Sequence, residues 1–177
     1  MVVGAASGYL IPAMTVLVSG ADGQLGRAVI RVAAAEGPVI PLGRRDLDVT
    51  VREDVHEAVA AHRPTVLVNC AAWRDVDGHE LDPGKANRIN VDAPTFLWEA
   101  CELTGTHLVH ISTDFVFDGT RNDPYPEAHP TGPLNVYGLT KLEGESTVGP
   151  STTVVRTSWL QDSRGPNIVD RVVNDLV

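Results

Sequence analysis

Tyr137 and Lys141 stand four residues apart in the run Tyr-Gly-Leu-Thr-Lys. On a helix this spacing puts both side chains on one face, one turn apart. An ammonium beside a phenol favours the phenolate and lowers a pKa otherwise near about 10, which suits the pair to passing a proton near neutral pH. The chain has three tyrosines and two lysines, so the pairing is an uncommon coincidence if it is only a surface pair. Ser112, Thr113 and Asp114 follow an apolar strand-like run at 106–111. A hydroxyl at the carboxyl end of a parallel strand can join Tyr137 in holding a substrate carbonyl.

A second constellation binds rather than reacts. Gly20, Gly23 and Gly26 form Gly-x-x-Gly-x-x-Gly directly after a strand-like run and at the opening of a helical pattern. Backbone N–H groups and the helix dipole meet a pyrophosphate at such a junction. Three turn glycines without a ligand are the alternative. The next strand leads into Gly43, Arg44 and Arg45, where an acidic residue would read the ribose hydroxyls of NAD. Guanidinium groups suit a ribose 2′-phosphate instead, so NADPH is favoured and NADH tolerated. A shift of one residue would bring Asp46 to that place, leaving a solvated basic turn. Asp48 and Val49 follow closely enough to flank an adenine.

The elements that must position these groups alternate. Short β-branched runs at 15–19, 39–42, 65–69, 106–111 and 152–157 read as strands. Between them, Leu25, Ala28, Val29, Val32 and Ala33 recur at helical spacing over 24–36 until Gly37-Pro38 stops the pattern. A capping box from Thr50 to Glu53 opens a helix to about residue 62. Asp82 and Pro83 open one to about residue 104, kinked by Pro94 and stopped by Gly105. Helices are also predicted over 136–147 and over 167–177, the last without a stop signal. The alternation predicts an α/β class fold, a Rossmann-like doubly wound parallel sheet with its ligand across the carboxyl ends of the strands. Asp75, Asp77 and His79 read as an acidic loop without a metal pattern, and 118–135 as a long surface loop with a function. His107 and His110 read as packed or surface histidines rather than ligands, so no metal site is expected. Trp73 and Trp98 are expected in the core or at its edge.

Composition narrows the classes. The 177 residues carry 14 Lys plus Arg against 23 Asp plus Glu, a net charge of −9, which excludes a basic nucleic-acid footprint. With 43% hydrophobic and 21% charged residues the chain suits one globular domain. Cys70 and Cys101 supply neither a disulfide framework nor a CxxC pair, which points to buried thiols in a reducing cytoplasm. No apolar run reaches the roughly 18 residues that cross a membrane. Residues 1–13 are apolar but lack a basic n-region, and are expected to be an extension ahead of an NAD(P)-binding domain at 14–177.

With these residues in view, the chain resembles the N-terminal part of the dTDP-4-dehydrorhamnose reductase family of extended short-chain dehydrogenases, whose glycine spacing it shares. The resemblance rests on GADGQLG at 20–26, LDVT at 47–50, NCAAW at 69–73, INVDAP at 89–94, ISTDFVFDG at 111–119, PLNVYGLTKLEGE at 133–145 and VVRTSWL at 154–160. It implies reduction, with a nicotinamide cofactor, of the 4-keto group of a dTDP-linked 6-deoxyhexose. It implies a catalytic set in which Thr113 holds the keto oxygen and Tyr137 protonates it. Lys141 would hold the nicotinamide ribose and lower the tyrosine pKa. Gln24 and Leu25 would join the glycines at the pyrophosphate, Ala71 and Ala72 would line the nicotinamide side, and Asp114 and Trp159 would contact the sugar. Phe115 departs from the family's tyrosine and removes a hydroxyl from the sugar site. The resemblance also places the family's nucleotide-sugar lobe beyond Val177, and exposure of the face it covers favours self-association, in the simplest case a homodimer. The rival expectations are a non-catalytic NADP-binding protein resembling the regulatory subunit of methionine adenosyltransferase, and a truncated, inactive piece.

Overall fold

The computed structural model describes residues 14–161; the expectations for residues 1–13 and for a helix over 167–177 lie outside them. Five parallel strands form one sheet: β1 (Val16–Ser19), β2 (Val39–Leu42), β3 (Val66–Asn69), β4 (His107–Thr113) and β5 (Thr153–Thr157). Their order is β2-β1-β3-β4-β5, so the sheet reverses direction beside β1. That reversal is the crevice in which doubly wound folds bind ligands.

The helices follow from right-handed crossovers. Helix α1 (Gln24–Ala33) lies on one face, and α2 (Arg52–His62), α5 (Ala93–Thr104) and α6 (Val136–Thr147) on the other. Under α2 and α5 the inward side chains Leu17, Leu67 and Leu108 are register partners across β1, β3 and β4. They form the core with Val55, Val59, Leu97 and Ala100. Two residues further along the same face, the register continues with Ser19, Asn69 and His110. An apolar rung is thus followed by a buried polar one at the carboxyl ends.

Several sequence expectations are corrected. Helix α1 ends at Ala33 rather than at residue 36. The Thr50–Glu53 capping box does not form: Val51 is the N-cap of α2 without a side-chain bond, and the Thr50 hydroxyl donates to Asp48 Oδ1 at 2.7 Å. The local Asx-type turn outcompetes the cap. The expected acidic loop is instead a short helix, α3 (Val76–Leu81), capped by Asp75 accepting from Gly78 N at 3.1 Å. The single helix predicted from Asp82 is three segments: α4 (Pro83–Asn87), a π turn (Arg88–Asp92) and α5. Pro94 has no N–H to offer the Asn90 carbonyl, and the wider π turn absorbs the misfit.

Candidate active site

Gly20 follows β1 at φ +69°, and a Cβ there would sit 2.6 Å from Ala71 N. A Cβ on Gly26 would sit 2.3 Å from the Gly20 carbonyl oxygen. Gly23 is the N-cap of α1 and supplies no side-chain bond, which leaves the first-turn N–H groups without a cap. Gln24 and Leu25 are the first residues of α1, and Gln24 Nε2 donates to the Leu160 carbonyl at 3.1 Å. Ala71 and Ala72 lie just past β3, with Ala71 N donating to Asn69 Oδ1 at 3.1 Å. These features fit a pyrophosphate: side-chain-free backbone, a helix N-terminus and a crevice at the sheet reversal.

At the end of β2 the side chains of Arg44 and Arg45 are exposed. Asp46 is engaged locally, its carboxylate accepting from Gly43 N at 2.9 Å. Two bonds from Thr50, from its hydroxyl and its backbone N–H, hold the Asp48 carboxyl below its usual range, and the Arg44 charge adds to them. The Val49 side chain belongs to the core, so Asp48 is the member of that pair that faces solvent.

Thr113 ends β4 and Asp114 opens a 3₁₀ turn (Asp114–Val116). Thr113 Oγ1 donates to Asp114 Oδ1 at 3.2 Å and accepts from Phe115 N at 3.3 Å. Asn135 caps α6, accepting from Gly138 N at 2.7 Å, and so starts the helix just ahead of Tyr137. Burial pushes the Tyr137 phenol above its ordinary value; a hydrogen bond with Thr113 works against this, Asp114 adds to it and Arg74 opposes it. Burial pulls Lys141 down to about 8, with Glu145 working the other way. The structure therefore brings Thr113, Asp114 and Tyr137 together, with Lys141 one turn further along α6 against β4, but corrects one expectation. The expected lowering of the tyrosine pKa is not what the site shows: burial outweighs the opposing causes and leaves the phenol raised, and Lys141 Nζ is turned to the Ile111 carbonyl at 2.7 Å and to His110 Nε2 at 3.5 Å. Trp159, at φ +43°, is 65% exposed beyond β5.

Sequence reasoning missed the support beneath the tyrosine. His79 is fully buried, stacks on Trp73 at 4.4 Å and meets the Tyr137 ring edge-on at 5.1 Å. Asn90 Nδ2 bonds His79 Nε2 at 3.0 Å and Thr140 Oγ1 at 3.1 Å, tying α3, the π turn and α6 together. Phe115 also packs edge-on against Tyr137 at 5.5 Å. The signal was a histidine three residues after a Val-Asp start, which reads as a helix face only once Asp75 is seen as its cap.

Fold and side chains together define a Rossmann-like α/β domain of the short-chain reductase kind. More narrowly, the chain belongs to the family described as the RmlD substrate binding domain, whose model matches residues 14–176. It is 46% identical to the dTDP-4-dehydrorhamnose reductase of Streptomyces griseus over 162 residues, 89% of this chain and 53% of that protein. It is 41% identical to the dTDP-4-keto-6-deoxy-D-glucose reductase of Streptomyces niveus, over 89% of this chain and 56% of that one. A dTDP-4-dehydrorhamnose reductase crystal structure from Bacillus anthracis, in complex with NADP, superposes with a TM-score of 0.86 at 35% identity, over 91% of this chain and 59% of that one. The chain thus spans about half the length of the curated relatives it matches.

Proposed function

We propose that this chain carries the cofactor-binding and catalytic side chains of an NADPH-dependent ketoreductase acting on a dTDP-linked 4-keto-6-deoxyhexose. The observation that carries the reading is the pairing of Thr113 with Tyr137 at the carboxyl end of β4, with Lys141 one turn further along α6, on the sheet whose reversal holds the glycine loop. NADPH, when bound, supplies a hydride to the carbonyl carbon. Thr113 donates a hydrogen bond to the keto oxygen, and Tyr137 transfers its proton to that oxygen as negative charge develops on it. A phenol raised by burial is protonated at neutral pH, the form a reduction needs. Lys141, a cation below about 8, would hold the nicotinamide ribose. Asp114 and Trp159 contact the sugar, and Gly20, Gly23, Gln24, Leu25 and Gly26 hold the pyrophosphate.

The test is NADPH oxidation with freshly generated dTDP-4-keto-6-deoxy-L-mannose beside a calorimetric titration of NADPH. Turnover supports the reading; binding with no turnover at any substrate level counts against it and favours the non-catalytic alternative. Two variants probe the cofactor half. Gly26→Ala puts a methyl group against the Gly20 carbonyl and is expected to weaken NADPH at least about tenfold, the effect of about 1.4 kcal/mol of displaced loop. Calorimetry on the folded variant reads this, and unchanged affinity would remove the loop from the site. The double variant Arg44→Ala with Arg45→Ala is expected to weaken NADPH more than NADH, since only the former carries the 2′-phosphate. Equal losses in the two titrations would refute that role.

A further inference from the structure

Ser19, Asn69 and His110 are register partners on three adjacent strands, and their side chains form one buried line that ends at Lys141. Ser19 Oγ donates to Asn69 Oδ1 at 2.8 Å, and Ala71 N donates to the same oxygen at 3.1 Å. The backbone donor at Ala71 has no acceptor role to exchange, so it fixes which end of the Asn69 amide is oxygen. Asn69 Nδ2 therefore donates to His110 Nδ1, 3.2 Å away. A ring nitrogen that accepts carries no proton. In a neutral imidazole the proton is then on Nε2, the atom 3.5 Å from Lys141 Nζ.

We propose that His110, locked by Asn69 as the Nε2–H tautomer, is a positioning residue that turns a donor toward Lys141 and so favours the neutral amine of that lysine. An ammonium has only donors and would meet the Nε2–H head on. A neutral amine has a lone pair to accept it, while still donating to the Ile111 carbonyl. Burial and the Lys141 charge pull His110 down to about 3, which keeps the ring neutral throughout the working range. The other ionisable groups around Lys141 do not supply this effect. Glu145, on α6 itself, works in the opposite direction and is paired with Arg156 of β5 at 2.6 Å. His79 of α3 and Asp114 of the 3₁₀ turn face Tyr137 rather than Lys141.

The inference rests on the reductase reading for the role of Lys141. It gives the reaction an alkaline limit that is set from the neighbouring strand, by Asn69 at the end of β3.

Long-range proton–nitrogen correlation of the unmodified protein at pH 7 tests the tautomer. A protonated Nε2 with a bare Nδ1 on His110, assigned by the loss of that signal in His110→Gln, is expected. An Nδ1–H ring or an imidazolium would overturn the proposal. The lysine is read separately, because the chain has only Lys85 and Lys141 and a side-chain titration resolves both. Asn69→Ala frees the ring to present Nε2 as an acceptor. The Lys141 midpoint should then rise from about 8 by about one unit, tenfold in proton affinity, with Lys85 unmoved. A midpoint that stays in place while the variant remains folded would overturn the coupling. Neither measurement needs substrate, so an inactive protein would count against the reductase reading while these two results decide the inference.

Discussion

Replacing Tyr137 by phenylalanine should reduce NADPH-dependent turnover of the 4-keto sugar by about three orders of magnitude, within the range typical of a lost general acid. The change removes one hydroxyl and keeps the ring. That ring is what His79 and Phe115 touch, at 5.1 and 5.5 Å, so the packing beneath the site survives. The glycine loop is on the other side of the sheet reversal and should bind NADPH with nearly unchanged affinity. The expected pattern is thus a collapse of kcat with little change in cofactor titration or melting temperature. Activity equal to the unmodified protein would take the proton transfer away from Tyr137. A parallel loss of NADPH binding would mean that the phenol serves the cofactor instead.

The sharpness of that expectation comes from how the site was legible. The Tyr-x-x-x-Lys spacing, the glycine run and the Ser-Thr-Asp end of β4 are local patterns, and local patterns survive in sequence. The doubly wound parallel class is legible as well, because β-branched runs alternating with capped helices allow few topologies. What stayed hidden is what depends on contacts between distant elements. Nothing adjacent to His110 says that register will set it beside Asn69 and below Lys141. For the same reason the raised tyrosine pKa is not legible in the Tyr-x-x-x-Lys spacing. Spacing alone puts the two side chains on one face, but burial raises the phenol and the Ile111 carbonyl of β4 takes the lysine's bond. The Thr50–Glu53 cap failed at shorter range, since the Thr50 hydroxyl and N–H both donate back to Asp48, two residues earlier, in a local turn that replaces the cap.

The break in the helix beginning at Asp82 shows how one such hidden contact becomes a stability prediction. Pro94 withholds an N–H from the Asn90 carbonyl, four residues back, and the chain widens into the π turn over Arg88–Asp92. Gly144 of α6 fills the place in front of that carbonyl: a Cβ on Gly144 would lie 2.0 Å from the Asn90 oxygen and 3.6 Å from Pro94 Cγ. Gly144 is also on the face of α6 that carries Tyr137 and Lys141, at i+7 and i+3 from them. Gly144→Val must therefore push the catalytic helix away from backbone, which cannot yield as a flexible side chain does. Destabilisation of about 3 kcal/mol is expected, at the upper end for overpacking, which for a chain of this size lowers the melting temperature by about 10 °C. Turnover measured well below that temperature should fall as well, because Tyr137 and Lys141 move with the helix while Thr113 stays on β4. Gly132→Ala is the matched comparison. Its Cβ would meet only the Asp118 Cβ at 3.5 Å, an ordinary contact, and its effect should stay within about 0.5 kcal/mol. Equal melting temperatures for the two variants would show that the close approach of Gly144 to the π-turn backbone does not hold α6, and would leave the helix tied to that turn by the Asn90–Thr140 bond.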